Sequence, residues 1–334
     1  MLEQLLSKFD LASMQELVGF WHAKGVTLAL AEPIIYQCAE TIGHLRSTET
    51  RGSQDWYLSL GRQLLQNSAR LINYDKNSTL SEFTAQFCGS NIRWETLGIF
   101  FSAVIRATFD IPFFPHLYKT EAERHELRSL VKRFTDASLD LCLSLDCLND
   151  LQLVFHYESI IVQSHLHGDH SEFFQASKYC IDEELIFADL KYYRSLGDVI
   201  ASIFALGYHE NIDADPSVPS HLVELRKTAF ARVYSADKNV AIYLGRPPRM
   251  SKRFCYFQVP SATMVEMANP TTHDRAQPTH RDHDAQMNYV SETRWSAMCA
   301  SIKEDVLELL FCEDRSKNVQ KARLVSHFMQ RNDH

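Results

Sequence analysis

Glycine and proline are scarce in this sequence, 11 and 10 among 334 residues. A fold of many short strands and tight turns leans on both, so their scarcity disfavours a β-rich architecture. No apolar run approaches the ~20 residues that a membrane span needs. The eight cysteines, Cys38, Cys88, Cys142, Cys147, Cys180, Cys255, Cys299 and Cys312, include no C-x-x-C pair. That scatter suits free thiols in a reducing compartment rather than a disulfide framework. A G-x-S-x-G elbow and a Gly-rich phosphate loop are both absent, and the many Ser, Cys, His and Asp residues make no defensible catalytic set, so no enzyme activity is expected. An excess of basic charge is also lacking: 34 basic against 42 acidic side chains leave a formal charge of −8. That sign argues against gripping nucleic acid by phosphate neutralisation, although fifteen His can move the balance at mildly acid pH. The opening MLEQLLSKFD lacks the long apolar stretch of a signal peptide.

What the chain does have is apolar content of 45% arranged at helical steps, enough for a sizeable core. The fold class expected is all-α, an antiparallel array of many helices. Leu2 to Leu45 reads as three short helices, with Asp10 or Ser13 starting the second, Gly25 breaking it and Pro33 near the start of the third. Asp55 to Asn73 is amphipathic through Leu58, Leu60, Leu64, Leu65 and Leu71. Ser78 and Glu82 lie one residue beyond capping-box spacing. Trp94 to Phe109 is apolar most of the way round, which predicts an internal helix, with Arg93, Glu95 and Arg106 at its margins. Ile111 to Pro115 is an aromatic, Pro-punctuated loop expected to fold onto the core. Glu121–Ser144 and Cys147–His165 form an apparent helix pair, with Gly168 as a stop. Met267 to Asn288 holds almost nothing apolar and reads as a polar connection. Helices 292–311 and 316–329 follow, the first with an apolar face of Trp295, Met298, Ile302, Val306, Leu309 and Leu310. There is no internal repeat and no clean linker, so 1–334 is taken as a single domain with its core at 90–260.

The most specific stretch is Ser195 to Pro260. Leu222, Leu225, Ala229, Val233, Ala236 and Val240 recur at steps of three and four and line one helix face. Phe230, Tyr234 and Leu244 broaden it, and Ser220 is a candidate N-cap. The stop is sharp: Gly245 can take the left-handed conformation, and Pro247 and Pro248 cannot continue a helix. Asp237 lies before that stop. A lone buried carboxylate would be costly, so Asp237 is expected to be at least half buried and bonded to Arg246 or Arg249.

These residues carry a resemblance. The run from Glu224-Leu225-Arg226-Lys227 through Asp237-Lys238 to Gly245-Arg246-Pro247-Pro248 resembles the middle homology region of fungal zinc-cluster transcription factors. The upstream Leu206-Gly207-Tyr208-His209 is similar to that family's LGLH step. The resemblance is strong over Ser195–Pro260 and weaker, as helical pattern only, along most of the chain. It implies an all-helical regulatory domain without catalytic residues, in which Arg226, Asp237, Gly245, Arg246 and Pro247 are structural motif positions. It implies a nuclear location, action through protein partners of the transcription machinery, through a DNA-binding partner or through a small-molecule effector, and no direct DNA contact by this chain. The six-cysteine zinc cluster of the family is absent from these residues, so no cofactor is expected. Against the family pattern, about twenty residues around 173–193 are extra; they are expected to be a poorly ordered surface insertion or an unspliced piece of the gene. Family members usually continue further, so a C-terminal portion is expected to be missing. The alternatives are an enzyme or small-molecule binder on the same helical scaffold, and a truncated, inactive paralogue.

Other candidate sites are weaker. His165, His167, Asp169 and His170 form a dense ligand-type cluster, but it lies across a helix stop that would splay its side chains. His273, Asp274, His280, Asp282, His283 and Asp284 sit in a polar loop of the kind that binds metal adventitiously. Arg246, Arg249, Lys252 and Arg253 make a small basic group, read as helix-end charge ahead of an import or phosphate-contacting patch. Phe100, Phe101, Phe109, Phe113, Phe114, Tyr157, Phe204 and Tyr208 are read as core packing ahead of an effector cavity.

Overall fold

A computed structural model describes residues 1–46, 54–167, 183–261 and 289–310. Among the described residues the chain is helical, with no strand and one isolated bridge, Phe114 to Tyr118. The all-α expectation holds at that level. The chain divides into two compact units, Met1–Ser195 with Pro216–His221, and Leu196–Asp215 with Leu222–His334. Two of the boundaries, after Ser195 and after His221, fall inside helices, and the third lies in the loop between Asp215 and Pro216.

In the first unit α1 is Leu2–Leu6, α2 Leu11–Ala23, α3 Ile35–Arg46, α4 Gln54–Ser68, α5 Leu80–Ala85, α6 Trp94–Asp110, α7 Glu121–Ser144 and α8 Asp150–His167. Helix α9, Glu183–Ala205, begins here. The starts are chemical. Asp10 accepts the Ser13 amide at 3.0 Å, and Thr120 with Glu123 forms a capping box that satisfies orphan amides at the head of α7. The box at α5 is Thr79 with Glu82, one residue later than the Ser78 pairing that spacing suggested. Gly25, at φ 78°, follows the end of α2 in the left-handed region.

Helix α6 is the centre of this unit. Leu97, Ile99, Phe100, Phe101, Val104 and Ile105 are all buried, and α6 packs on α2, α3, α4, α7 and α8. Gly98 permits the closest approach: a Cβ there would lie 2.1 Å from the Phe155 ring on α8. Arg93 and Glu95 are not marginal. They are 1% and 2% exposed and form a buried pair at 3.1 Å. The Arg93 guanidinium also donates to Ser68 O at 2.7 Å and Arg70 O at 2.9 Å, while Ser68 Oγ donates to Glu95 at 2.7 Å. The pair is buried because the last turn of α4 leaves carbonyls that need a donor, and the start of α6 supplies one. Glu158 on α8 is buried too and accepts the amides of Leu30 and Ala31. Burial raises its pKa, against the lowering effect of those amides. Amphipathic α4 buries Leu60 and Leu64 and leaves Leu58 and Leu65 exposed, and it ends at Ser68, short of the expected Asn73, so that Leu71 is exposed beyond it. In the loop after α6, Ile111 is buried and its carbonyl accepts the Tyr118 hydroxyl at 2.8 Å, whereas Phe113 points outward.

The second unit holds the end of α9, helix α10, Ser220–Leu244, the segment 245–261, and α11, Tyr289–Leu310. Ser220 is the first residue of α10 rather than the one before it. The apolar face of α11 is not the one that large side chains marked out. Thr293, Ala297, Ala300, Glu304 and Leu307 are buried, while Trp295, Met298 and Val306 are exposed. Small side chains at 297 and 300 admit a close approach that Trp295 could not. Of the proposed insertion 173–193, residues 183–193 belong to continuous helix α9, and 173–182 lie outside the described residues. The polar connection 267–288, helix 316–329 and Gly168 also lie outside them.

Candidate functional site

The motif residues of the second unit converge on two helix stops and one buried charge cluster. Both stops have the same geometry. At the end of α9, Gly207 has φ 75°, its amide donates to Phe204 O at 3.1 Å, and the Tyr208 amide reaches back to Ile203 O at 3.0 Å. At the end of α10, Gly245 has φ 61°, its amide donates to Ile242 O at 3.4 Å, and the Arg246 amide reaches Ala241 O at 3.0 Å. This paired pattern is the Schellman motif, which needs a left-handed residue after the cap and so selects glycine. The Leu-Gly-Tyr-His and Gly-Arg-Pro steps are therefore two copies of one backbone device.

Between the stops, Arg226 of α10 holds its guanidinium 5.4 Å from the centre of the Tyr208 ring, a cation–π distance. Gln258 closes the same corner, donating to Tyr208 O and Glu210 O at 2.8 Å each.

The charge cluster lies further along α10. Asp237 is 2% exposed and Lys238 is wholly buried. Asp237 accepts the Arg249 amide at 3.0 Å and the Met250 amide at 2.9 Å. Its expected partner was Arg246 or Arg249, and the contact is to the backbone of Arg249. The Arg249 guanidinium instead lies over Gly197 on α9, where a Cβ would stand 3.0 Å from it. Lys238 Nζ pairs with Asp237 at 2.8 Å and with Glu304 of α11 at 3.4 Å, and it donates to Met250 O. Glu304, 1% exposed, accepts the Lys252 amide at 2.9 Å, the Ser251 hydroxyl at 3.0 Å and the Tyr234 hydroxyl. Burial, and then the bond to Glu304, push the Tyr234 pKa far above the ordinary phenol range, so it stays a donor. The ammonium also sits 4.1 Å from the Tyr234 ring centre. Such a cluster is tolerable in a dry interior only when its members satisfy one another.

This arrangement clamps chain. After the stop at Gly245 the segment 249–252 has no helix or strand of its own. Its amides at 249, 250 and 252 and its carbonyl at 250 are held by Asp237, Glu304 and Lys238. The charged groups are closed to solvent and face backbone. Around the cluster, Arg232 pairs with Glu292 at 3.2 Å, Arg253 with Glu308 at 3.0 Å, and Lys252 with Asp305.

The five motif positions are thus placed. Arg226 packs on Tyr208, Asp237 holds the clamp, Gly245 makes the stop, and Arg246 and Pro247 are exposed beyond it. Sequence reasoning missed Glu304, Gly197 and the central part of Lys238. A carboxylate in register with Ala297 and Ala300 on the small-residue face of α11 was the available signal for Glu304.

The other candidates do not assemble. The basic group is dispersed, with Lys252 and Arg253 paired to acids, Arg249 over Gly197 and Arg246 in solvent. His165 bonds Arg106 and Ile161 O, while the side chains of His167, Asp169 and His170 and the whole 273–284 set lie outside the described residues. Among the described residues no group of His, Cys, Asp or Glu is placed to hold a metal ion, and no helix is long and apolar enough to cross a membrane. The aromatic set is divided: Phe100, Phe101, Phe109, Phe113, Phe114 and Tyr157 belong to the first unit, Phe204 and Tyr208 to the second. Comparison of the chain with protein-family models, curated proteins and solved structures gave no match.

Proposed function

We propose that this chain is a regulatory domain of the fungal zinc-cluster transcription factor type, working by contact and not by catalysis. The observation that carries the reading is the use made of the motif residues. Arg226, Asp237, Lys238, Gly207 and Gly245 spend their chemistry on holding two helix stops and one returning segment. A sequence motif that serves shape suits a domain whose output is a surface. Helix α11 offers one such surface, with Trp295 64% and Met298 47% exposed, the composition of a protein-binding face. On this reading the chain acts in the nucleus, through transcription-machinery proteins, a DNA-binding partner or a small-molecule effector, and contacts no DNA itself.

The test is a fusion of the full chain to an unrelated DNA-binding module, assayed on a reporter in a fungal cell. The expected result is a change in reporter transcription that a Trp295→Asp substitution on the exposed face diminishes. A fusion that is folded, nuclear and without effect on the reporter would overturn the proposal. So would tight DNA binding by the unfused chain at physiological salt.

A further inference from the structure

The outer face of α11 carries an apolar stripe that the described residues leave open. Trp295, Met298 and Val306 are exposed, and Ile302 and Leu309 are half-buried. At about 100° per residue these five fall within an arc of about 80°, opposite the buried face of Ala297, Ala300, Glu304 and Leu307. Their spacing is symmetrical. Met298 and Val306 stand four residues either side of Ile302, and Trp295 and Leu309 stand seven either side. A stripe that meets an unrelated protein has no need of that symmetry. A two-fold axis does, because it requires one face to be complementary to itself.

We propose that α11 pairs with α11 of a second copy of this chain, antiparallel, about a two-fold axis at Ile302. The axis sets Ile302 on Ile302, Met298 on Val306 of the other copy, and Trp295 on Leu309 of the other copy. The largest side chain thus meets a smaller one and the layers stay even along the helix, which parallel pairing of Trp295 with Trp295 would not give. The flanking charges agree. Arg294 and Glu308 lie on the same side of the stripe, and the flip brings the Arg294 of each copy to within ~3 Å of axial rise of the level of Glu308 in the other. Opposite charges so placed help to fix direction and register. Lys303 lies next to the axis, and it is turned aside, donating to Asn239 Oδ1 at 2.7 Å. The proposal names the partner for the α11 contact surface and rests on that assignment.

The experiment is sedimentation equilibrium of the unfused full chain under reducing conditions, at micromolar concentration because a single helix face is a small interface. The expected result is a concentration-dependent shift toward twice the 38.5 kDa of one chain. Trp295→Asp, at an exposed position, is expected to abolish the shift with circular dichroism and melting point unchanged. Ile302→Cys puts a thiol on the axis, and mild oxidation is expected to lock it as a covalent dimer on a non-reducing gel, above the wild-type background. Ser291→Cys is expected to give no such dimer, because antiparallel pairing holds the two 291 positions about 33 Å apart along the axis. If Trp295→Asp does not fold, the two cysteine variants suffice. A chain that stays monomeric would overturn the proposal, as it would if its own residues 311–334, which lie outside the described residues, covered the stripe. So would a dimer that folded Trp295→Asp leaves intact, or one that Ser291→Cys locks. A monomer leaves the reporter assay to decide the transcriptional reading, whereas a dimer whose fusion is silent on the reporter overturns that reading alone.

Discussion

The two units solve one problem, fixing a helix end in a crowded interior, with opposite materials. In the first unit the central element is apolar: α6 is buried nearly all round and meets α8 where Gly98 faces Phe155. Its charged pair of Arg93 with Glu95 is local and serves the adjacent end of α4. In the second unit the centre is charged, and Lys238 joins Asp237 and Glu304 across 66 residues of sequence, from 238 to 304. Packing tolerates modest repacking, whereas a buried cation shared by two carboxylates fails sharply when one member is removed. The second unit is expected to be the more brittle.

The most severe test of that contrast is Lys238→Met, which leaves Asp237 and Glu304 buried without their cation. A loss of about 3–5 kcal/mol is expected in denaturant unfolding. A loss below about 1 kcal/mol would remove the difference between the units. Gly98→Ala probes the other side, because its Cβ would press into the Phe155 ring. The expected loss is about 1–3 kcal/mol, recovered in part by Phe155→Leu on the same chain. Gly245→Ala and Gly207→Ala place a Cβ where φ is 61° and 75°. Each is expected to cost about 1–2 kcal/mol, and by similar amounts if the two stops are one device. The smallest effect is a slope with pH. The pKa of Glu158 is raised in the folded protein, so its contribution is fully present below the ordinary carboxylate range and is lost as pH rises through the raised value. Glu158→Gln removes that titration. Urea unfolding at several pH values should show the variant gaining on the wild type as pH increases.

Much of this was legible in the sequence, and its limits are physical. Helix stops are local. A glycine past an apolar stripe, with proline soon after, needs no partner, so Gly245 and Gly25 were readable. Burial of charge is not local. Arg93 and Glu95 looked marginal because the Ser68 and Arg70 carbonyls that receive the guanidinium lie on another element. Asp237 was expected to be buried because a carboxylate amid apolar positions must find donors. The donors proved to be the amides of Arg249 and Met250, which no side-chain pattern advertises. The face of α11 was misjudged because size was taken for burial. Trp295 and Met298 are exposed, and the alanines and Glu304 face inward. The division into two units was not read because two of its boundaries fall within continuous helices, after Ser195 and after His221.

The central claim is that Asp237, Lys238 and Glu304 clamp the segment beyond the Gly245 stop. Residue-resolved hydrogen exchange on the wild-type protein reads that clamp directly. The amides of Arg249, Met250 and Lys252 should be protected to the degree of the α10 interior, although they belong to no helix or strand. Exchange of those three amides at the rate of an open loop would contradict the account.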